Sequence, residues 1–161
     1  MRAVITFLLL LLLVRWLRFE FRRKVSAKRY WKWVAATLVL QLVTGFTSGL
    51  AGDKLGNIIL HAVGGGVVSL LLFTYLIKTY DVRYNWRVEV VLLFCFVSAL
   101  GVLNELAEFA GELLHLGVYS FDTQDTWRDL AANTVGALLA WGVIKVYTAV
   151  FIPAKAVSPR Q

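Results

Sequence analysis

Apolar runs separated by short polar segments make up most of this chain. Four of them, roughly 33–50, 58–77, 88–110 and 130–152, approach the ~20 residues that ~30 Å of hydrocarbon demands of a helix. A fifth run, Ala3–Val14, is shorter. With Arg15 and Arg18 snorkelling and Trp16 at the interface it extends to a span near 3–17. No small-residue cleavage site follows it and a dense basic cluster does, which argues for a retained span over a signal peptide. The expected fold is all-α, a polytopic transmembrane bundle of about five spans forming a single integral-membrane domain over 1–161.

Composition strengthens this, because 59% hydrophobic residues exceed what a soluble domain carries. Charge then sets an orientation. The loop 15–32 holds Arg15, Arg18, Arg22, Arg23, Lys24, Lys28, Arg29 and Lys32 against Glu20 alone, which predicts a cytoplasmic location. Alternating across four more spans puts Lys78, Arg83 and Arg87 inside and the acidic connection 111–129 outside. The N-terminus is then out and the C-terminus in. On this reading the pI near 9.8 is a topology signal and excludes a nucleic-acid footprint. The basic loop would face anionic lipid headgroups, with a protein partner as the other reading.

The polar positions inside the apolar runs carry the candidate chemistry. Glu105, Glu108, Glu112 and His115 follow one another at helical spacing, and ionisable groups at membrane depth are costly unless they face protein or water. Ser98, Glu105 and Glu112 step by seven, as do Gly101, Glu108 and His115, so one stripe of helix carries them all. Asn57, His61, Gly64 and Val68 share a face of the third span; Asp125, Asp129, Asn133, Gly136 and Ala140 share one of the fifth. These stripes lie at one depth with Asn104, Glu105 and Glu108. Burying them against each other predicts a polar pocket opening outward under the loop 117–126, with Glu105, Glu108 and Asn133 pointing at one another and His61 within reach.

Simpler roles compete for several of these residues. Thr126 and Asp129 fit a Thr-x-x-Asp capping box, and Glu112 and His115 fit a solvated helix end. Cys95, mid-span on the face away from the glutamates, reads as core. Gly45 and Gly49, with Gly64–Gly66, read as sites of close internal helix packing, with homodimerisation as the alternative.

The run Asp125–Leu139, DTWRDLAANTVGALL, together with Asn104-Glu105-x-x-Glu108 and Asp53-Lys54-x-x-Asn57, resembles the VanZ-like membrane proteins, a family named for a teicoplanin-resistance protein. Its motifs match here at Asp53, Lys54 and Asn57, at Glu105 and Glu108, and at Asp129, Asn133 and Gly136. Arg128 corresponds to a basic residue found near the motif's aspartate, and Asn57 stands where many relatives carry histidine. FDTQ at 121–124 is similar to a related group of small membrane proteins. The resemblance covers roughly 50–141 and implies a cell-envelope or antibiotic-resistance role in a prokaryotic inner membrane, without a settled reaction.

Two classes of function follow. In the first, Glu105, Glu108, Asp129, Asn133 and His61 form the reactive part of a pocket for a lipid-linked or envelope substrate, with Asp53, Lys54, Asn57, Asn104, Glu112, His115, Asp125 and Arg128 binding around it. A metal cofactor is a variant of this class: Glu105-x-x-Glu108 and Glu112-x-x-His115 have the spacing used in helical-bundle metal sites, but such sites draw their pairs from two helices and here one helix offers both. In the second, the chain is a non-catalytic accessory subunit of a larger membrane complex, its glutamates forming a buried polar lock.

Overall fold

The computed structural model describes residues 27–114 and 123–151, together with Leu12, Arg15, Trp16 and Phe19. These residues are helical apart from short turns, and the helices are α1 (Ala27–Ala51), α2 (Asp53–Ile59), α3 (Val68–Thr79), α4 (Trp86–Leu113) and α5 (Thr123–Phe151). Between α2 and α3 the backbone continues without a break through a π-helical segment, Leu60–Val67, so that α2, this segment and α3 form one rod. Among the described residues, four helices are long and apolar enough to cross a membrane: Trp31–Ala51, Lys54–Thr79, Trp86–Leu113 and Thr123–Phe151. The expected span near 3–17 lies outside the described residues apart from Leu12, Arg15 and Trp16, as does half of the basic loop 15–32.

The chain turns back sharply between α1 and α2. Gly52 adopts φ 79°, a conformation that costs glycine little and an L-residue much, and its carbonyl accepts from the Gly56 N–H at 2.7 Å. A Cβ on Gly56 would strike the Ser48 carbonyl, so the arms of this hairpin close to backbone contact. At the start of α4, the Asn85 side chain accepts from the Arg87 N–H at 3.0 Å and caps the helix.

The rod is the central element. Half of its apolar window is buried, against 6% of that of α5, and it packs against each of the other three helices. At the end of the bundle that holds the α3–α4 turn, Trp33 and Val34 of α1 pack on Val68, Leu72 and Tyr75 of the rod, with the Trp33 and Tyr75 rings 5.5 Å apart. Leu70 and Phe73 pack with Leu93 and Val97 of α4 and Ala137 of α5. Lipid is as apolar as leucine, so this core holds the helices by fit and dispersion. Outward-facing Leu38, Val39, Leu42, Phe46, Val91, Phe94, Leu103, Leu106, Leu139, Val143 and Val146 leave the apolar surface that a bilayer would cover.

Several expectations change here. α5 begins at Thr123 and α4 runs to Leu113, so Glu112, Asp125, Thr126 and Asp129 are helical and the acidic connection 111–129 is much shorter than the hydropathy suggests. Thr126 and Asp129 therefore do not cap the start of a helix. Their side chains serve tertiary contacts instead. Cys95 is exposed and is not core. Gly45 and Gly49 have no atom within 4 Å of where a Cβ would stand, so this pair packs no helix among the described residues; the glycines of the rod do.

Candidate functional site

The α1–α2 turn, the end of α4 and the start of α5 lie at one end of the bundle, and there the polar stripes meet. Asp129, 4% exposed on α5, is the hub. His61, in the π segment, places Nε2 3.1 Å from Asp129 Oδ2. Asn57, one turn earlier on α2, donates from Nδ2 to Asp129 Oδ1 at 2.8 Å and reaches Asp125 Oδ1 at 3.5 Å. Both oxygens of the Asp129 carboxylate are thus engaged by side chains from the rod. The third helix contributes Glu105, and one ligand-capable atom from each of His61, Glu105 and Asp129 lies within 4.8 Å of the other two.

Glu105 receives hydrogen bonds from the Thr126 and Asn104 side chains, yet its Oε1 is buried with no hydrogen-bond partner. Asn104 also donates to Glu108 Oε1 at 3.1 Å along its own helix. Glu108 and Asp125 stand as further nearby charges around the hub. Among the described residues no lysine or arginine pairs with Glu105 or Asp129; Lys145 and Arg83 make their ion pairs elsewhere.

One turn beneath, Asn133 fills the layer between the rod and α4. It is 4% exposed; a Cβ on Gly65 would collide with its amide oxygen and one on Gly101 would stand 3.3 Å from its amide nitrogen, and its Oδ1 has no hydrogen-bond partner. The packing that holds this layer is backbone against backbone. A Cβ on Gly66 would strike the Asn133 carbonyl, and one on Gly136 the Ala62 carbonyl. The π geometry explains why Gly65 and Gly66 join Gly64 in facing neighbours: Gly64 turns towards α1, where its carbonyl accepts from the buried Gln41 Nε2 at 2.8 Å. A π turn disturbs the ordinary i→i+4 ladder, and Gln41 supplies a donor where it does so.

The structure thus brings together His61, Asn57, Asp129 and Glu105, with Asn133 below and Asn104, Glu108 and Asp125 around them. The expected mutual convergence of Glu105, Glu108 and Asn133 is replaced by convergence on Asp129, because Glu108 bonds along its own helix and Asn133 lies one layer deeper. Arg128 and Lys54 are exposed, and Arg128 Nη2 donates to Gln124 at 3.3 Å. Glu112 is half-buried at the end of α4. His115, and the side chain of Asp53, lie outside the described residues. Beside the hub, Ser48, Gly49, Gly52, Gly56, Asn57 and Leu60 line an open cleft of about 230 Å³. Asn57 belongs to both cleft and hub.

A second polar cluster, at the opposite end, is absent from the expectations above. Glu89 accepts from Lys145 Nζ at 2.7 Å and from Trp141 Nε1 at 2.9 Å, tying α4 to α5, while Lys145 stacks over the Trp141 ring at 5.4 Å. The sequence does carry its signal: a carboxylate and an ammonium, each inside an apolar run, mark mutual partners by the same rule that singles out the glutamates.

A family model described as a predicted membrane protein, DUF2238, matches residues 1–149. The chain belongs to that family, and it is an integral membrane protein with four described apolar helices. No curated relative and no solved structure matches the chain.

Proposed function

We propose that this member of the DUF2238 family binds the polar headgroup of a lipid-linked cell-envelope molecule in the cleft beside Asn57 and carries out acid–base chemistry on it with His61, Asp129 and Glu105. The observation that carries this reading is the double role of Asn57, which lines the open cleft and donates to Asp129 at 2.8 Å. A headgroup in the cleft is then one side chain away from the titratable groups. In this reading a carboxylate orients the imidazole and stabilises its cationic form, so His61 with Asp129 acts as the base, and Glu105 supplies a second carboxyl. The resemblance to VanZ-like proteins rests on Asn57, Glu105, Glu108, Asp129 and Asn133, all of which lie at this end of the bundle, and it supports an envelope substrate. The lysine and arginine asymmetry supports an outward-facing site.

Two measurements test the reading. In a Cys95→Ser background, a cysteine at exposed Gln124 is expected to react with an impermeant thiol reagent added to intact cells, while one at Asp81, in the turn at the other end, stays protected; the reverse pattern would turn the site to the cytoplasm. Native mass spectrometry of the protein in mild detergent is expected to show a bound lipid-linked envelope precursor that Asp129→Asn loses. A stoichiometric protein partner in place of any lipid would favour an accessory subunit instead and overturn the headgroup reading.

A further inference from the structure

We infer that His61, Glu105 and Asp129 bind a divalent first-row transition metal ion, a proposal that rests on reading this end of the bundle as a site and gives that site its charge balance. Three helices each supply one ligand, and the three ligand atoms lie within 4.8 Å of one another. Ligands held at about 2.1 Å around a tetrahedral or octahedral ion stand roughly 3.0–3.4 Å apart when adjacent. His61 Nε2 and Asp129 Oδ2, 3.1 Å apart, already have that spacing. Glu105 needs to close the remaining gap only by a side-chain adjustment.

Three further observations point to a cation rather than to a self-sufficient polar network. Glu105 Oε1 is buried without a donor, and an orphaned acceptor calls for a positive or proton-bearing guest. The charge balance agrees: no lysine or arginine among the described residues pairs with Glu105 or Asp129, so one imidazole faces two carboxylates, with Asp125 and Glu108 close by. A divalent ion neutralises the two carboxylates outright, where leaving them unpaired at this depth is costly. Finally, Asn57 occupies Asp129 Oδ1 and leaves Oδ2 turned towards His61, the outer-sphere arrangement that orients a ligating carboxylate.

The ligand set selects the class. Two carboxylates and an imidazole, with no thiolate, suit Mn²⁺, Fe²⁺ or Zn²⁺ and disfavour Cu⁺. Three protein ligands leave positions open towards the cleft, where water or a headgroup oxygen completes the coordination, and a metal-bound water is a stronger acid than free water.

The experiment measures metal content by mass spectrometry on full-length protein purified in mild detergent, stripped with chelator and reloaded separately with Zn²⁺, Mn²⁺ and Fe²⁺. About one ion per chain is expected to remain after desalting for at least one of the three, with a raised thermal midpoint. His61→Gln, Glu105→Gln and Asp129→Asn are each expected to lose it, and Asn57→Ala to weaken it about 10–100-fold. Asp81→Asn, in the exposed turn at the far end, retains it. Size-exclusion profiles identify any variant that fails to fold, and the three ligand positions give independent chances of a folded variant. Wild-type protein that retains none of the three ions, or folded ligand variants that retain as much as wild type, would overturn the inference. The outcome separates from that of the headgroup reading: an ion without a co-purifying lipid sinks only the latter, and a lipid without an ion sinks only this one.

Discussion

Gly66→Val is expected to remove most folded protein from the membrane, while Gly45→Val leaves abundance and thermal midpoint unchanged. The two glycines have opposite surroundings. A Cβ at Gly66 would collide with the Asn133 carbonyl and stand 2.9 Å from the Ala137 backbone nitrogen of α5, whereas nothing lies within 4 Å of one at Gly45. Both atoms met at Gly66 are backbone and cannot swing aside, so the rod and α5 must separate. Overpacking of this kind costs about 1–3 kcal/mol where side chains can adapt, and valine brings its whole branched side chain against backbone. Gly136→Val, whose Cβ would meet the Ala62 carbonyl from the other side, is expected to behave alike. Fluorescence-detected size exclusion of detergent extracts measures both. Equal yields for the Gly66 and Gly45 variants would mean that the rod and α5 do not meet in the membrane.

The second large effect is expected at Asp129. Alanine there removes the acceptor of the 2.8 Å bond from Asn57 Nδ2 and the carboxylate 3.1 Å from the buried His61. A buried polar group that loses its partner costs about 1–3 kcal/mol, and the Ala variant should lose stability by about that much. Asp129→Asn keeps the volume and one oxygen, and should stay folded while losing whatever the site holds. The pairing itself is separable by a double-mutant cycle: Asp129→Ala with His61→Ala should be less destabilised than the two single variants predict together, by about 0.5–3 kcal/mol. Strict additivity in heat-denaturation midpoints would show that the 3.1 Å approach carries no coupling.

Much of this arrangement is legible in the chain. Hydropathy finds the four described spans to within a few residues at most ends, and helical spacing places Asn57 with His61, Asp129 with Asn133, and Glu105 at a common depth. The misses have physical causes. The helix containing Asp129 starts at Thr123, because polar residues at a helix end lower hydropathy without lowering helicity. Thr-x-x-Asp looks the same whether its side chains cap a helix or reach across a bundle, and only the neighbouring helices decide. Spacing alone ranks Glu108 with Glu105; in the bundle Glu105 comes within 4.8 Å of His61 and Asp129, while Glu108, one turn on, accepts from Asn104 at 3.1 Å. The Gly45/Gly49 pair shows the converse error, since small residues permit close approach but do not require a neighbour.

The π segment also ties the two ends of one rod together in a way that a regular helix would not. Because a wider turn advances fewer degrees per residue, Leu60–Val67, which holds His61 in its first turn, acts as an angular offset between Asn57 on one side and Leu70, Leu72 and Phe73 on the other. The polar end and the packed end can each face their own neighbours only at this setting. Removing a single residue from Gly64–Gly66 would let the backbone rewind to an ordinary helix and turn α3 relative to α2, so that seating Leu72 in its core would swing His61 away from Asp129. The glycine run is therefore a timing element: its composition lets α5 approach, and its length sets the angle at which the site is presented.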